Sequence, residues 1–251
     1  HDPVGRGVKL VPLRAVLFDL DGTLLDNDMD VFITHYLRRF APHLAHRIPA
    51  DKFVQAWLHA LQMMLRNTDV TLTNQQVFDL HFYPQLGLSR QDALPSEKAF
   101  FATSYRGLSS LVRPRPGARE TVQAMLDAGL LAVIATNPIF PRVAVEQRLE
   151  WAGVGDLPFA LVTHAENMHA TKPHAHYYHE VLKHIDCAPD ECIMVGDDYI
   201  NDIQPATKLG MRTYWVNLST TTPPNFDPRA RGELHRFYSW LVSIGLLAEQ
   251  D

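Results

Sequence analysis

The feature that most constrains this chain is an alternation. From residue 118 to residue 216, short apolar runs and helix-length segments follow one another closely. The spacing predicts helix 118–128 stopped by Gly129, strand 130–135, helix 141–152 stopped by Gly153, and strand 159–163. It then predicts helix 174–185, strand 192–195, helix 202–209 stopped by Gly210, and strand 213–216. Strand–helix units of this length imply a mostly parallel sheet with helices on both faces. A further apolar run, Ala15-Val16-Leu17-Phe18, ends abruptly at Asp19-Leu20-Asp21-Gly22-Thr23 and reads as a buried strand feeding a polar loop.

Between this strand and the alternating region the pattern is different. The stretches VFITHYLRRF, DKFVQAWLHALQMMLR, NQQVFDLHFY and SEKAFFATSY carry apolar residues at helical spacing, with few strand-like runs between them. The punctuation Arg113-Pro114-Arg115-Pro116-Gly117 closes that stretch, since prolines and a glycine so close together stop helices and set turns. The expected organisation is a doubly wound, Rossmann-like α/β domain of residues 10–26 and 113–251, split by an all-helical domain of residues 27–112. A last helix is expected at 234–247, after the loop STTTPPNFDPRARG.

Composition narrows the class. Of the 251 residues 46% are hydrophobic and 20% charged, enough apolar content for a buried core and too much for a disordered chain. The net charge of −5, with basic residues spread along the chain, argues against a dedicated nucleic-acid binder, which needs clustered Lys and Arg. No apolar run approaches the length of a membrane span. The two cysteines, Cys187 and Cys192, read as free, partly buried thiols of a reducing compartment, and a cytoplasmic monomer or homodimer is expected. The opening HDPVGRGVKL has no apolar signal core, and its start on His suggests a trimmed end.

In open parallel sheets, ligands bind at the carboxyl ends of the strands. There the chain places Asp19 and Asp21, then Thr136 and Asn137, then Lys172, then Asp197 and Asp198, with Asp202 one helical turn further on. Carboxylates crowded at one edge raise each other's pKa, and a divalent cation removes the conflict. Mg²⁺ suits such a site because it takes oxygen ligands, usually one or two carboxylates together with phosphate oxygens. A carboxylate such as Asp19 can attack phosphorus in line, and one such as Asp21 can protonate the leaving oxygen and later deprotonate water. Thr136, Asn137 and Lys172 make sense as donors to the transferring oxygens.

In order and wording these elements resemble the haloacid dehalogenase superfamily, most of whose members are Mg²⁺-dependent phosphohydrolases. The likeness rests on DLDGTLLD, on Thr136 with Asn137, on the Lys172-Pro173 pair and on VGDDYIND. It implies a nucleophile at Asp19 and a general acid/base at Asp21. It also implies a metal held by the carboxylates of Asp19 and Asp197 and the main-chain carbonyl of Asp21, with Asp202 behind Lys172. Asp198 reads as a hydrogen-bonding loop residue rather than a ligand.

A helical insertion at this point of the chain resembles the C1 type of cap, with hinges expected at 24–27 and 112–116. Residues 27–112 carry 8 Lys and Arg against 7 acids, and the rest of the chain 15 against 21. That asymmetry suggests a cap offering one of Arg38, Arg39, Lys52, Arg66 or Arg106 to an anionic substrate. The substrate expected is a small phosphorylated metabolite. A sugar phosphomutase would keep every one of these residues, and a phosphonatase or a catalytically silent binding module remain further alternatives. His176 and His179 share a helical face without a third ligand at a suitable spacing, so surface or packing roles are expected. Phe100, Phe101 and Tyr105 read as helix core.

Overall fold

The structure, a computed structural model, describes residues 11–217, 221, 223, 226–227 and 229–248. The first ten residues, residue 218, residues 219–220, 222, 224–225 and 228 of the predicted loop, and the last three residues therefore lie outside the described residues.

The chain begins with β1 (Ala15–Phe18) and, beyond the Asp19–Leu24 loop, the two-residue β2 (Leu25–Asp26). Helices α1 (Met29–Leu44), α2 (Ala50–Arg66), α3 (Asn74–Leu86) and α4 (Arg90–Ala102) follow, with a 3₁₀ segment at Tyr105–Leu111. Asp28 caps α1 through the amides of Asp30 and Val31, while Thr73 with Gln76 and Ser89 with Asp92 form capping boxes on α3 and α4. Such caps occupy amides that would otherwise be left without partners. The chain returns through β3 (Arg113–Pro114), which pairs antiparallel with β2, Leu25 facing Pro114 and Asp26 facing Arg113. The two segments expected as hinges thus pair with each other in one ribbon.

The remaining elements are α5 (Ala118–Asp127), β4 (Leu131–Ile134), α6 (Arg142–Trp151), β5 (Leu161–Val162), α7 (Ala175–Ile185), β6 (Cys192–Gly196), α8 (Gln204–Lys208), β7 (Arg212–Trp215) and α9 (Phe237–Ser243). Five strands form a parallel sheet in the order β5-β4-β1-β6-β7, with β1 at the centre. Alternation along the strands divides the core. Val16, Phe18, Ile134 and Val195 face one side with Phe237 and Leu241, and Ala15, Leu17, Val133 and Met194 face the other with Tyr177, Tyr178 and Val181. Burying each such large apolar side chain contributes about 1.5–3 kcal/mol.

Several elements differ from the expected bounds, for local reasons. Leu130 donates its amide to the Met125 carbonyl and so belongs to the end of α5 rather than to β4. The helix expected at 202–209 starts as a π-helical turn, Tyr199–Ile203. Pro205 has no N–H to give the Asn201 carbonyl, which instead accepts from the Tyr178 hydroxyl. The last helix is shorter than expected: a 3₁₀ turn at Leu234–Arg236 leads into α9, and Gly245, at φ 74°, follows it.

The helical layer is fastened to the sheet domain by buried contacts. Phe32 and Tyr36 of α1 and Tyr105 pack edge-on and face-on with Phe140 and Trp151. Phe100, Phe101 and Tyr105 are core residues, as expected. The buried Asn74 side chain donates to the carbonyls of Pro138 (3.2 Å) and Ala170 (3.0 Å), while its amide donates to Met168 (2.8 Å). The start of α3 is therefore docked between the two loops that carry Asn137 and Lys172.

Candidate active site

Every strand-end residue singled out above lines one cavity of about 330 Å³. Asp19 follows β1 directly, and its amide donates to the Val195 carbonyl of the neighbouring strand (2.9 Å). Lys172 is almost wholly buried, and its Nζ donates to Asp19 Oδ1 at 2.8 Å and to Asp202 Oδ1 at 2.6 Å. Burial opposes charge on this amine, but the two carboxylates outweigh it and hold its pKa well above the ordinary lysine value. Asp202 is fully engaged, since its Oδ2 also accepts from the Asp198 amide (3.1 Å).

Asp19, Asp197 and Asp202 each bring one carboxylate oxygen within 4.8 Å of the others. Burial pushes the Asp19 carboxyl up to about 7, against the pull of Lys172, and burial together with the Asp19 charge pushes Asp197 up to about 7. A carboxylate pair so strained by its own charge fits a divalent cation. Asp197 is aimed by Thr23, whose hydroxyl donates to its Oδ1 (3.2 Å), and its carbonyl accepts from the Trp215 indole (2.7 Å).

Two glycines make room for these carboxylates. A Cβ on Gly22, which sits at φ 77°, would lie 2.2 Å from Asp197 Oδ2. A Cβ on Gly196 would lie 2.2 Å from Asp202 Oδ2. Either contact is far inside van der Waals range, so a side chain at either position displaces an acid.

Asp21 contributes no carboxylate oxygen to that cluster. Its Oδ1 accepts from Asn27 (2.9 Å) and its Oδ2 from Arg148 (2.5 Å), while Asn27 also accepts from the Gly22 amide (3.0 Å). Arg148 is completely buried, with its guanidinium 4.7 Å from the centre of the Phe140 ring and its Nε and Nη2 without partners. The sequence reading missed both Asn27 and Arg148. Arg148 does leave a trace: it falls on the inward stripe Ala144, Val145, Arg148 and Leu149 of α6, where a charge demands a partner.

Thr136 is buried, and its carbonyl accepts from Thr163 (2.7 Å) and Tyr177 (3.0 Å). Asn137 Oδ1 accepts the Lys172 amide (3.1 Å), tying the two loops together. Asp198 caps the π-helical turn through the amides of Ile200 and Asn201, a hydrogen-bonding loop residue as expected. The expectation about insertion cations is corrected. Arg38, Arg39, Lys52, Arg66 and Arg106 are exposed and none lines the cavity. They sit on the outer faces of helices whose inner faces are filled with aromatic side chains. His176 and His179 are exposed on α7, and both cysteines are free. Among the described residues no helix is long and apolar enough to cross a membrane.

A doubly wound sheet with a buried Asp–Lys–Asp chain at the carboxyl end of its central strand puts these ionisable groups where open α/β sheets bind their ligands. The chain belongs to the haloacid dehalogenase-like hydrolase family, whose model matches residues 16–216. It is 33% identical over 112 residues to the haloacid dehalogenase-like hydrolase domain-containing protein 3 of Xenopus laevis. That match covers 45% of this chain and 43% of the relative, so the chain spans less than half of that protein's length. A glyceraldehyde 3-phosphate phosphatase of Pyrococcus furiosus is 28% identical over 213 residues, 81% of this chain and 80% of that one. In fold, the chain is similar to the crystal structure of a HAD phosphatase from Thermococcus onnurineus. The TM-score is 0.60 at 20% identity, and the match covers 94% of this chain and 100% of that one.

Proposed function

We propose that the protein is a Mg²⁺-dependent phosphohydrolase that cleaves a phosphate monoester of a small metabolite through an aspartyl phosphate on Asp19. The observation that carries this reading is the pairing of Asp19 with buried Lys172 beside Asp197, inside a cavity that also holds Asp21. Membership of a hydrolase family with a phosphatase-named relative supports it.

Lys172 occupies Oδ1 of Asp19, which leaves Oδ2 to attack phosphorus. As the new Oδ2–phosphorus bond forms, the bond to the leaving oxygen breaks, and Asp21 delivers a proton to that oxygen. Its Oδ1, on the side of cavity-lining Asn27, is the atom placed to do so, since Oδ2 is turned to Arg148. In the second half Asp21 takes a proton from water as that water displaces Asp19 from phosphorus, releasing inorganic phosphate. Arg148 and Asn27 act as positioning residues that fix both oxygens of Asp21. Thr136 and Asn137 lie where they can donate to the transferring oxygens, and Asp202 fixes Lys172. Asp19 and Asp197, with the main-chain carbonyl of Asp21, would hold Mg²⁺, which when bound neutralises the acids and the phosphoryl oxygens. Residues 27–112 act as the cap, excluding water and shaping the leaving-group side of the cavity.

The test is phosphate release from an aryl phosphate with and without Mg²⁺. Asp19→Asn and reversible loss in EDTA should each abolish it, and metal-independent turnover, or full activity in Asp19→Asn, overturns the reading.

A further inference from the structure

The cavity lining is of two chemical kinds. Asp19, Thr136, Asn137, Lys172 and Asp197 form its polar floor, where the phosphoryl group is placed. The apolar part of the lining comes from Met29 and Ile33 of α1 and from Ile139 and Phe140, which follow Asn137. Among the described lining residues Lys172 is the only Lys or Arg, and its charge is already divided between Asp19 and Asp202. Two further cations touch lining residues from outside the cavity and are engaged there: Arg148, stacked on the Phe140 ring, is paired with Asp21, and Arg115 donates to the Gly22 carbonyl and lies 3.9 Å from Asp26. The lining also includes the carboxylate of Asp198.

Resting on the phosphohydrolase reading, we infer that the substrates are phosphate monoesters of uncharged alcohols that carry apolar surface, and that esters bearing a second anionic group are rejected. A carboxylate or second phosphate on the leaving group would be pressed against Met29, Ile33, Ile139 and Phe140 without a cation to receive it, and near acids that repel it. Arg38, Arg39, Lys52, Arg66 and Arg106 of the helical layer are exposed and outside the lining, and that layer is held on the sheet domain by Asn74, which donates to the Pro138 and Ala170 carbonyls, and by Tyr105, which donates to the Ala144 carbonyl (3.1 Å). The same absence disfavours a phosphomutase, which must seat a bisphosphate and so needs cationic groups at both ends of the cavity.

A matched pair of esters tests this on the full chain with Mg²⁺: 4-methylphenyl phosphate and 4-carboxyphenyl phosphate. The carboxylated phenol is the better leaving group, so intrinsic reactivity works against the proposal. The expected result is a kcat/KM about a hundredfold higher for the methyl ester, since an unpaired desolvated charge is strongly disfavoured. Ile33→Lys, or Met29→Lys if the first folds poorly, should shrink that ratio by about tenfold by supplying the missing cation. A wild-type ratio within about threefold of unity, or one unmoved by either lysine variant that folds, overturns the inference and leaves the phosphohydrolase reading intact. No Asp19-dependent phosphate release from either ester removes both.

Discussion

Replacing Arg148 by Met separates the catalytic use of a buried charge from its contribution to stability. The guanidinium is wholly buried, has one ionic partner in Asp21, and keeps two nitrogens unpartnered. With charge centres about 4 Å apart and an effective dielectric near 20, the attraction to Asp21 is about 4 kcal/mol. Desolvating an arginine costs several kcal/mol, and the unpartnered Nε and Nη2 add to that cost, so the pair's net contribution is near zero. Methionine fills much of the same volume against Phe32 and Phe140, and the Asp21 carboxylate it leaves behind faces the cavity and keeps Asn27 as a donor, so Arg148→Met should remain within about 1.5 kcal/mol of wild-type stability in urea unfolding. Asp21→Asn is the asymmetric counterpart. It leaves the cation buried without its anion and should lose about 3–5 kcal/mol, recovered when Arg148→Met is added. Because Arg148 fixes Oδ2 of Asp21, Arg148→Met should lower kcat about 10- to 100-fold with little change in KM, and Arg148→Lys should restore part of it. An Arg148→Met enzyme with kcat within about twofold of wild type would make the residue purely structural. A stability loss above about 4 kcal/mol would refute the balance of attraction and desolvation.

Other consequences can be checked directly. Lys172→Ala should reduce kcat about a thousandfold, because it removes the cation beside Asp19 and leaves Asp202 buried and unpaired; single-turnover phosphate release measures it. The raised carboxyls of Asp19 and Asp197 bind protons more tightly folded than unfolded. Metal-free protein should therefore lose stability as pH rises from about 4 through about 7, and Mg²⁺ should raise the Tm more at pH 8 than at pH 5.5, an effect largely lost in Asp197→Asn. Gly196→Ala should cut activity at least about tenfold by displacing Asp202 from Lys172, with the fold intact by circular dichroism. Asn74→Ala should cost about 2 kcal/mol in unfolding experiments by leaving the Pro138 and Ala170 carbonyls without their donor.

The elements legible in the sequence are those whose signals are local. Val16 and Phe18 alternate with Ala15 and Leu17, Gly129 and Gly153 stop their helices, and the acids follow apolar runs directly, so the sheet and its carboxyl edge could be read off. Lys172 could be placed only by its neighbours in chain order, since nothing local distinguishes a buried lysine from a solvated one. The pairing of Leu25 with Pro114 and the docking of Asn74 were not legible, because each joins residues far apart in the chain through main-chain groups. The insertion's cations misled for a related reason: counting charges does not say which face of a helix carries them. Arg148 could have been suspected from its stripe, but Asp21 as its partner required the fold.

The ribbon of Leu25–Asp26 against Arg113–Pro114 has a consequence for how such a chain can change over time. The helical segment leaves and re-enters the sheet domain through one doorway whose two jambs are already bonded to each other. Shortening, lengthening or exchanging everything between them alters what hangs from a hairpin and leaves the strand bearing Asp19 in register. If residues 27–112 serve as the proposed cap, the part of the cavity that Met29 and Ile33 supply can be exchanged as a module, while the residues on the strand ends keep their alignment.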